Sequence, residues 1–130
     1  MKLRIKGNSI RLRLSQTDLE AIAERGFCEE QTVFPGRVLK YRLALKEQDD
    51  LTTHFQDELI ELQFPNSKFE PWFKTEQVGL ENTFIVGSQE LNLLVEKDWQ
   101  CLSPRNEDES DLFANPNATK ATSILSLIHI

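Results

Sequence analysis

The chain is poor in the residues from which metal centres and disulfide scaffolds are built. It has two cysteines and two histidines in 130 residues, and Cys28 and Cys101 stand apart with no CxxC pair. Isolated cysteines of this kind are expected as reduced thiols, the default for a cytoplasmic protein. No metal-binding motif is recognised, and neither a glycine-rich phosphate loop nor a dinucleotide fingerprint is present, so no cofactor is expected. The segment after Met1 is charged and lacks the apolar stretch of a signal peptide. No apolar run approaches a membrane span, so no membrane contact is expected. A formal net charge of −6 argues against general nucleic-acid binding. The length bounds one domain, large enough to bury a core. Nothing in the sequence fixes an oligomeric state.

What is present is concentrated at the start. Residues 2–14 read Lys-Leu-Arg-Ile-Lys-Gly-Asn-Ser-Ile-Arg-Leu-Arg-Leu, basic and apolar residues alternating on both sides of Gly7-Asn8. A two-residue Gly-Asn turn suits a β-hairpin, which pairs Lys2 with Arg13, Leu3 with Leu12, Arg4 with Arg11, Ile5 with Ile10 and Lys6 with Ser9. Alternation then puts Lys2, Arg4, Arg11 and Arg13 on one face and the apolar residues on the other. Like charges directly opposite cost up to roughly 1 kcal/mol per pair. The face therefore calls for a counter-charge, either a bound anion or acids from elsewhere in the chain. The dense acidic cluster at Glu107-Asp108-Glu109 and Asp111 is one candidate for that partner. A solvated basic edge is the plainer alternative.

Ser15, Asp18 and Gly26 mark the two ends of a helix, with Leu14 and Leu19 in staple positions. Strands are expected over 27–34 and 38–46 around Pro35-Gly36, and over 52–56 and 58–64 around Asp57. A short helix follows from Pro65, with Phe69, Trp72 and Phe73 as core and Pro71 confined to an early turn. A last hairpin spans 80–86 and 89–96. The fold class is α+β: a mainly antiparallel sheet or partly closed barrel of about eight short strands, with two helices. Element order suggests a ββαββ duplication of 1–46 and 52–97, without matching residues. Residues 1–102 form the single domain, and 103–124 are expected as a polar, acidic, loosely ordered tail. Residues 125–130, Leu-Ser-Leu-Ile-His-Ile, read like an in-frame translation of a sequencing-library adaptor. A metagenomic reading frame running into foreign sequence is the expectation, and a genuine short terminal strand is the alternative.

Two strings carry a family resemblance. Leu3 to Leu19 (LRIKGNSIRLRLSQTDL) and Leu93 to Pro116 (LLVEKDWQCLSPRNEDESDLFANP) resemble a small bacterial family of unknown function. Its members open on a basic Gly-Asn-Ser hairpin and carry a Glu-Lys-Asp-aromatic-x-Cys-Leu segment near the end. Ala114 departs from the proline of that pattern. The resemblance implies no activity. The hairpin is also similar in style to the triphosphate-tunnel enzymes, barrels whose inward basic residues grip phosphate chains. Those enzymes open on an acid-x-acid-x-Lys signature, and this chain is basic at those positions.

The expected function is a cytoplasmic, non-catalytic interaction or anion-binding module. Lys2, Arg4, Arg11 and Arg13 would contact a phosphate-containing ligand or an acidic protein surface. The alternative is a phosphate-ester or polyphosphate hydrolase, with Glu58, Glu61 or Glu96 holding a metal. Cys101 with His54 as base has little support, since each residue has an ordinary explanation as a buried thiol and a surface histidine.

Overall fold

A computed structural model describes residues 1–98 and 110–114 of the chain. Strand β1 (Lys2–Lys6) turns back at Gly7-Asn8 into β2 (Ser9–Leu14). Gly7 takes φ 55° there, a left-handed conformation that glycine adopts without a Cβ clash. All five expected cross-strand pairs are present. Helix α1 (Gln16–Arg25) begins with a reciprocal capping box. The Asp18 N–H donates to Ser15 Oγ at 3.2 Å and the Ser15 N–H to Asp18 Oδ2 at 2.9 Å. Leu19 and Ile22 are its buried residues, and Gly26 ends it at φ 89°.

Strands β3 (Phe27–Phe34) and β4 (Arg37–Lys46) form the next hairpin, followed by β5 (Thr52–Gln56) and β6 (Leu59–Pro65). Helix α2 (Asn66–Lys74) has no side-chain cap, and Pro71 sits beyond its first turn, later than expected. The helix holds through its aromatic anchors. Trp72 stacks on Phe64 at 4.9 Å between ring centres and donates its indole N–H to the Val78 carbonyl at 3.0 Å. Strands β7 (Gly79–Val86) and β8 (Gln89–Lys97) complete the set.

The α+β expectation holds, and the eight strands divide into two sheets without closing a barrel. The first sheet runs β1-β2-β8-β7 and the second β3-β4-β6-β5. Each hairpin is antiparallel, but the centre of each sheet is a parallel pair, β2 with β8 and β4 with β6. Parallel partners are far apart in sequence, so local patterning gives no sign of them.

The suggested duplication becomes an equivalence of positions. The leading hairpin of each half joins the trailing hairpin of the other half. The registers agree as well: Arg11 faces Leu94 in the first sheet, as Glu61 faces Arg42 in the second. Equivalent core positions are Leu12 and Leu62, Leu14 and Phe64, Ile22 and Trp72, Leu43 and Val95, all fully buried. Side chains from both sheets and both helices make one apolar cluster.

Residues 110–114 pack against this body. The Gln16 N–H donates to the Asp111 carbonyl at 3.0 Å, and the Phe113 N–H to the Asp98 carbonyl at 3.0 Å, while Leu112 is buried. Cys101, Glu107-Asp108-Glu109, the remainder of 103–124 and the terminal 125–130 lie outside the described residues. Among the described residues no helix is long and apolar enough to cross a membrane.

Candidate functional site

Strand alternation places Lys2, Arg4, Lys6, Arg11 and Arg13 on the outer face of the first sheet. Pairing registers arrange that face in rows running across the strands. One row is Lys2, Arg13, Glu96 and Gly79; the next is Arg4, Arg11, Leu94 and Glu81; the third is Lys6, Ser9, Asn92 and Thr83.

The first of these rows is neutralised from within. Glu96 Oε1 lies 3.0 Å from Arg13 Nε and 3.5 Å from Arg11 Nε. Lys2 Nζ lies 3.0 Å from Asp98 Oδ2, a buried carboxylate. Among the described residues, the counter-charges of the hairpin therefore include Glu96 of β8 and Asp98 just after it. Asp111 is not among them. Its carboxylate accepts from the Thr17 N–H at 3.1 Å and the Thr17 hydroxyl at 2.8 Å, at the start of α1. Burial pushes its pKa up, but the Thr17 and Ser15 hydrogen bonds outweigh that and hold it below the ordinary aspartate value.

The second row is different. Among the described residues, its Arg4 and Glu81, and Lys6 of the third row, have no ion pair or side-chain hydrogen bond. Together with Ser9, Arg11, Thr83, Asn92 and Leu94 they line a concavity of about 430 Å³, within the range of roughly 300–1,000 Å³ typical of small-ligand sites. Its neutral wall is internally satisfied: the Thr83 hydroxyl donates to Asn92 Oδ1 at 2.8 Å, and Asn92 Nδ2 to Ser9 Oγ at 3.4 Å.

The second sheet carries the equivalent concavity, about 420 Å³, lined among others by Lys40, Arg42, His54, Gln56 and Glu61. Its middle row is Glu29, Arg42, Glu61 and His54. Here the charges close on one another. Arg42 donates to Glu29 at 2.8 Å and to Glu61 at 3.0 Å. The Glu29 bond, with that of Glu61, raises the Arg42 pKa against partial burial. Partial burial would raise the Glu61 pKa, but Gln63 and Arg42 outweigh it and hold the carboxyl below its ordinary value. Where the second sheet has Arg42 the first has Leu94, and where the second has Glu61 the first has Arg11.

The carboxylates considered for a metal are dispersed. In the second sheet Glu58 pairs with Arg37 at 3.1 Å and Glu61 with Arg42, and in the first sheet Glu96 pairs with Arg11 and Arg13. Among the described residues no three His, Cys, Asp or Glu side chains form a metal-holding group. His54 is exposed on β5. Cys28 is buried, and its thiol is pushed up to about 12 by that burial, with Asp18 adding to the effect. It is therefore a protonated core thiol at neutral pH.

Sequence reasoning missed two participants in the site and one buried cation behind it. Glu81 and Lys6 complete the open row and its neighbour, and alternation within their hairpins was the available signal. Lys97 lies on the opposite face from Glu96 and is buried. Its ammonium donates to the Thr75 carbonyl and lies 5.3 Å from the centre of the Phe113 ring, and desolvation lowers its pKa.

Residues 1–117 match a family of unknown function, DUF7009, in agreement with the expected membership of a family without assigned activity. No curated protein and no solved structure matches the chain.

Proposed function

The chain belongs to the DUF7009 family of unknown function, and we propose that it is a non-catalytic anion-binding module, with the ligand held on the outer face of the first sheet. A cytoplasmic setting suits its free Cys28 thiol. Arg4, Lys6 and Arg11 make the contact, and Lys2 and Arg13 flank it, fixed by Asp98 and Glu96. The ligand contains phosphate, whose oxygens match paired guanidinium donors.

One observation carries the reading: two equivalent concavities differ in their charge. That of the second sheet holds two cations and two carboxylates beside His54. That of the first holds three cations and one carboxylate, with Arg4 directly opposite Arg11. An arrangement that opposes like charges loses stability unless an anion offsets it.

The test is thermal unfolding at low ionic strength in the presence of inorganic phosphate, tripolyphosphate and magnesium, each alone and combined. A ligand that binds the native state raises Tm. The expected result is a rise with phosphate and a larger one with tripolyphosphate, both lost in an Arg4→Ala, Lys6→Ala double variant. No rise at saturating anion, or an equal rise in the variant, overturns the reading.

A further inference from the structure

We propose that the ligand of the first-sheet concavity is dipolar: a small molecule with a phosphoryl group at one end and a protonated amine at the other. This inference rests on the anion-binding reading and adds the second end. It comes from comparing the two equivalent rows.

In the second sheet the row reads acid, base, acid, histidine, as Glu29, Arg42, Glu61 and His54. The Arg42 side chain spans the row, bonded to a carboxylate on each side. In the first sheet the equivalent row reads acid, apolar, base, base, as Glu81, Leu94, Arg11 and Arg4. Leu94 stands in the place of Arg42 and reaches neither neighbour by hydrogen bond. The row therefore lacks the bridging group that closes its counterpart. Among the described residues, Glu81 at one end and Arg4 at the other are both without an ion pair, and the half-buried Leu94 forms an apolar floor between the charged ends.

The group that fits this gap is the reverse of a plain anion at one end. It presents a cation to Glu81 and an anion to Arg11 and Arg4, with an apolar or neutral spacer over Leu94. Neighbouring strands lie about 4.8 Å apart, so the backbone positions of Glu81 on β7 and Arg11 on β2 are roughly 10 Å apart across β8, which sets the scale of the span between the two ends. A molecule with charges that far apart engages both ends, and a shorter one reaches only the basic end. Ser9, Asn92 and Thr83 wall the concavity with neutral groups already bonded to one another, and so favour neither end.

The test compares three probes by isothermal titration at low ionic strength. Hexyl phosphate carries the anion and spacer alone, 6-aminohexyl phosphate adds an amine at the required distance, and 2-aminoethyl phosphate adds one too close to span. The expected order places 6-aminohexyl phosphate tightest, by a factor of about three to five over hexyl phosphate, as for one exposed ion pair. The Glu81→Gln variant removes that preference, while hexyl phosphate binds it at least as tightly as the wild type because a carboxylate facing the anion is gone; Glu81 is exposed and makes no ion pair among the described residues, so the fold does not depend on it. Equal binding of hexyl and 6-aminohexyl phosphate overturns the dipolar ligand while leaving the anion site standing. A preference that persists in Glu81→Gln also overturns it, because the amine then sits elsewhere. Failure of all three probes to bind overturns the anion site as well.

Discussion

Replacing Arg4 by alanine should stabilise the protein when no anion is bound. Arg4 lies opposite Arg11 on the outer face of the first sheet. Arg11 has partial relief from Glu96, 3.5 Å away, whereas Arg4 has no ion pair among the described residues. Removing it relieves a like-charge pair worth roughly 0.2–1 kcal/mol, against a small loss of packing from its aliphatic stem. For a domain of this size that is a rise in Tm of about 1–4 °C. The assay is thermal unfolding by circular dichroism in phosphate-free buffer of low ionic strength. The gain should fade near 1 M salt, where the screening length falls to about 3 Å. Arg13→Ala is the contrast: it removes the closest partner of Glu96 and should lower Tm. A fall in Tm for Arg4→Ala at low salt, or a gain indifferent to salt, would refute the claim that this charge is uncompensated.

Arg42→Ala should cost about 1–3 kcal/mol in urea unfolding, because it strands Glu29 and Glu61, two half-buried carboxylates that it bonds directly; no measurable loss would mean that the second sheet is not closed by this residue. Gly79→Ala should lose roughly 1–3 kcal/mol, since a Cβ there would lie 2.0 Å from the Val95 carbonyl oxygen and 2.8 Å from Glu96 Cα, backbone that cannot give way; a wild-type Tm contradicts that packing. Acid should destabilise the fold through Glu61 and Asp111, whose folded-state pKa values are both held low. Their contribution is complete above the unfolded-state values of about 4 and is lost as pH falls through the folded ones. A Glu61→Gln, Asp111→Asn variant should therefore show a flatter fall of Tm below about pH 5, and an unchanged acid limb would count against both assignments.

The local half of this structure was legible in the sequence. Gly7-Asn8 determines a hairpin register that is correct at every pair, and Ser15, Asp18 and Gly26 set the limits of α1, because turns and caps depend on residues adjacent in the chain. The parallel junctions were not legible, since β2 and β8 meet only through tertiary packing. The same blindness hid the counter-charges: Glu96 near the end of β8 and Asp98 just after it meet Arg13 and Lys2, yet in sequence they sit beside Lys97, whose side chain points to the opposite, buried side. The duplication was visible in element order alone. Its apolar positions are kept, as in Leu12 and Leu62, while the exposed ones diverge, as in Arg4 and His54 or Arg11 and Glu61. That divergence leaves one face charged and open and the other closed, so the feature that erased the repeat from the sequence is the one that defines the candidate site.

The most direct test of that site is the Kd of tripolyphosphate, measured by isothermal titration on the wild-type chain, on Arg4→Ala, Lys6→Ala, and on Lys40→Ala in the equivalent concavity of the second sheet. The expected result is binding to the wild type that weakens at least about tenfold in the double variant, the loss of two charge-assisted contacts, and is unchanged in Lys40→Ala. Absence of binding to the wild type, or equal weakening by Lys40→Ala, would contradict an anion site on the first sheet.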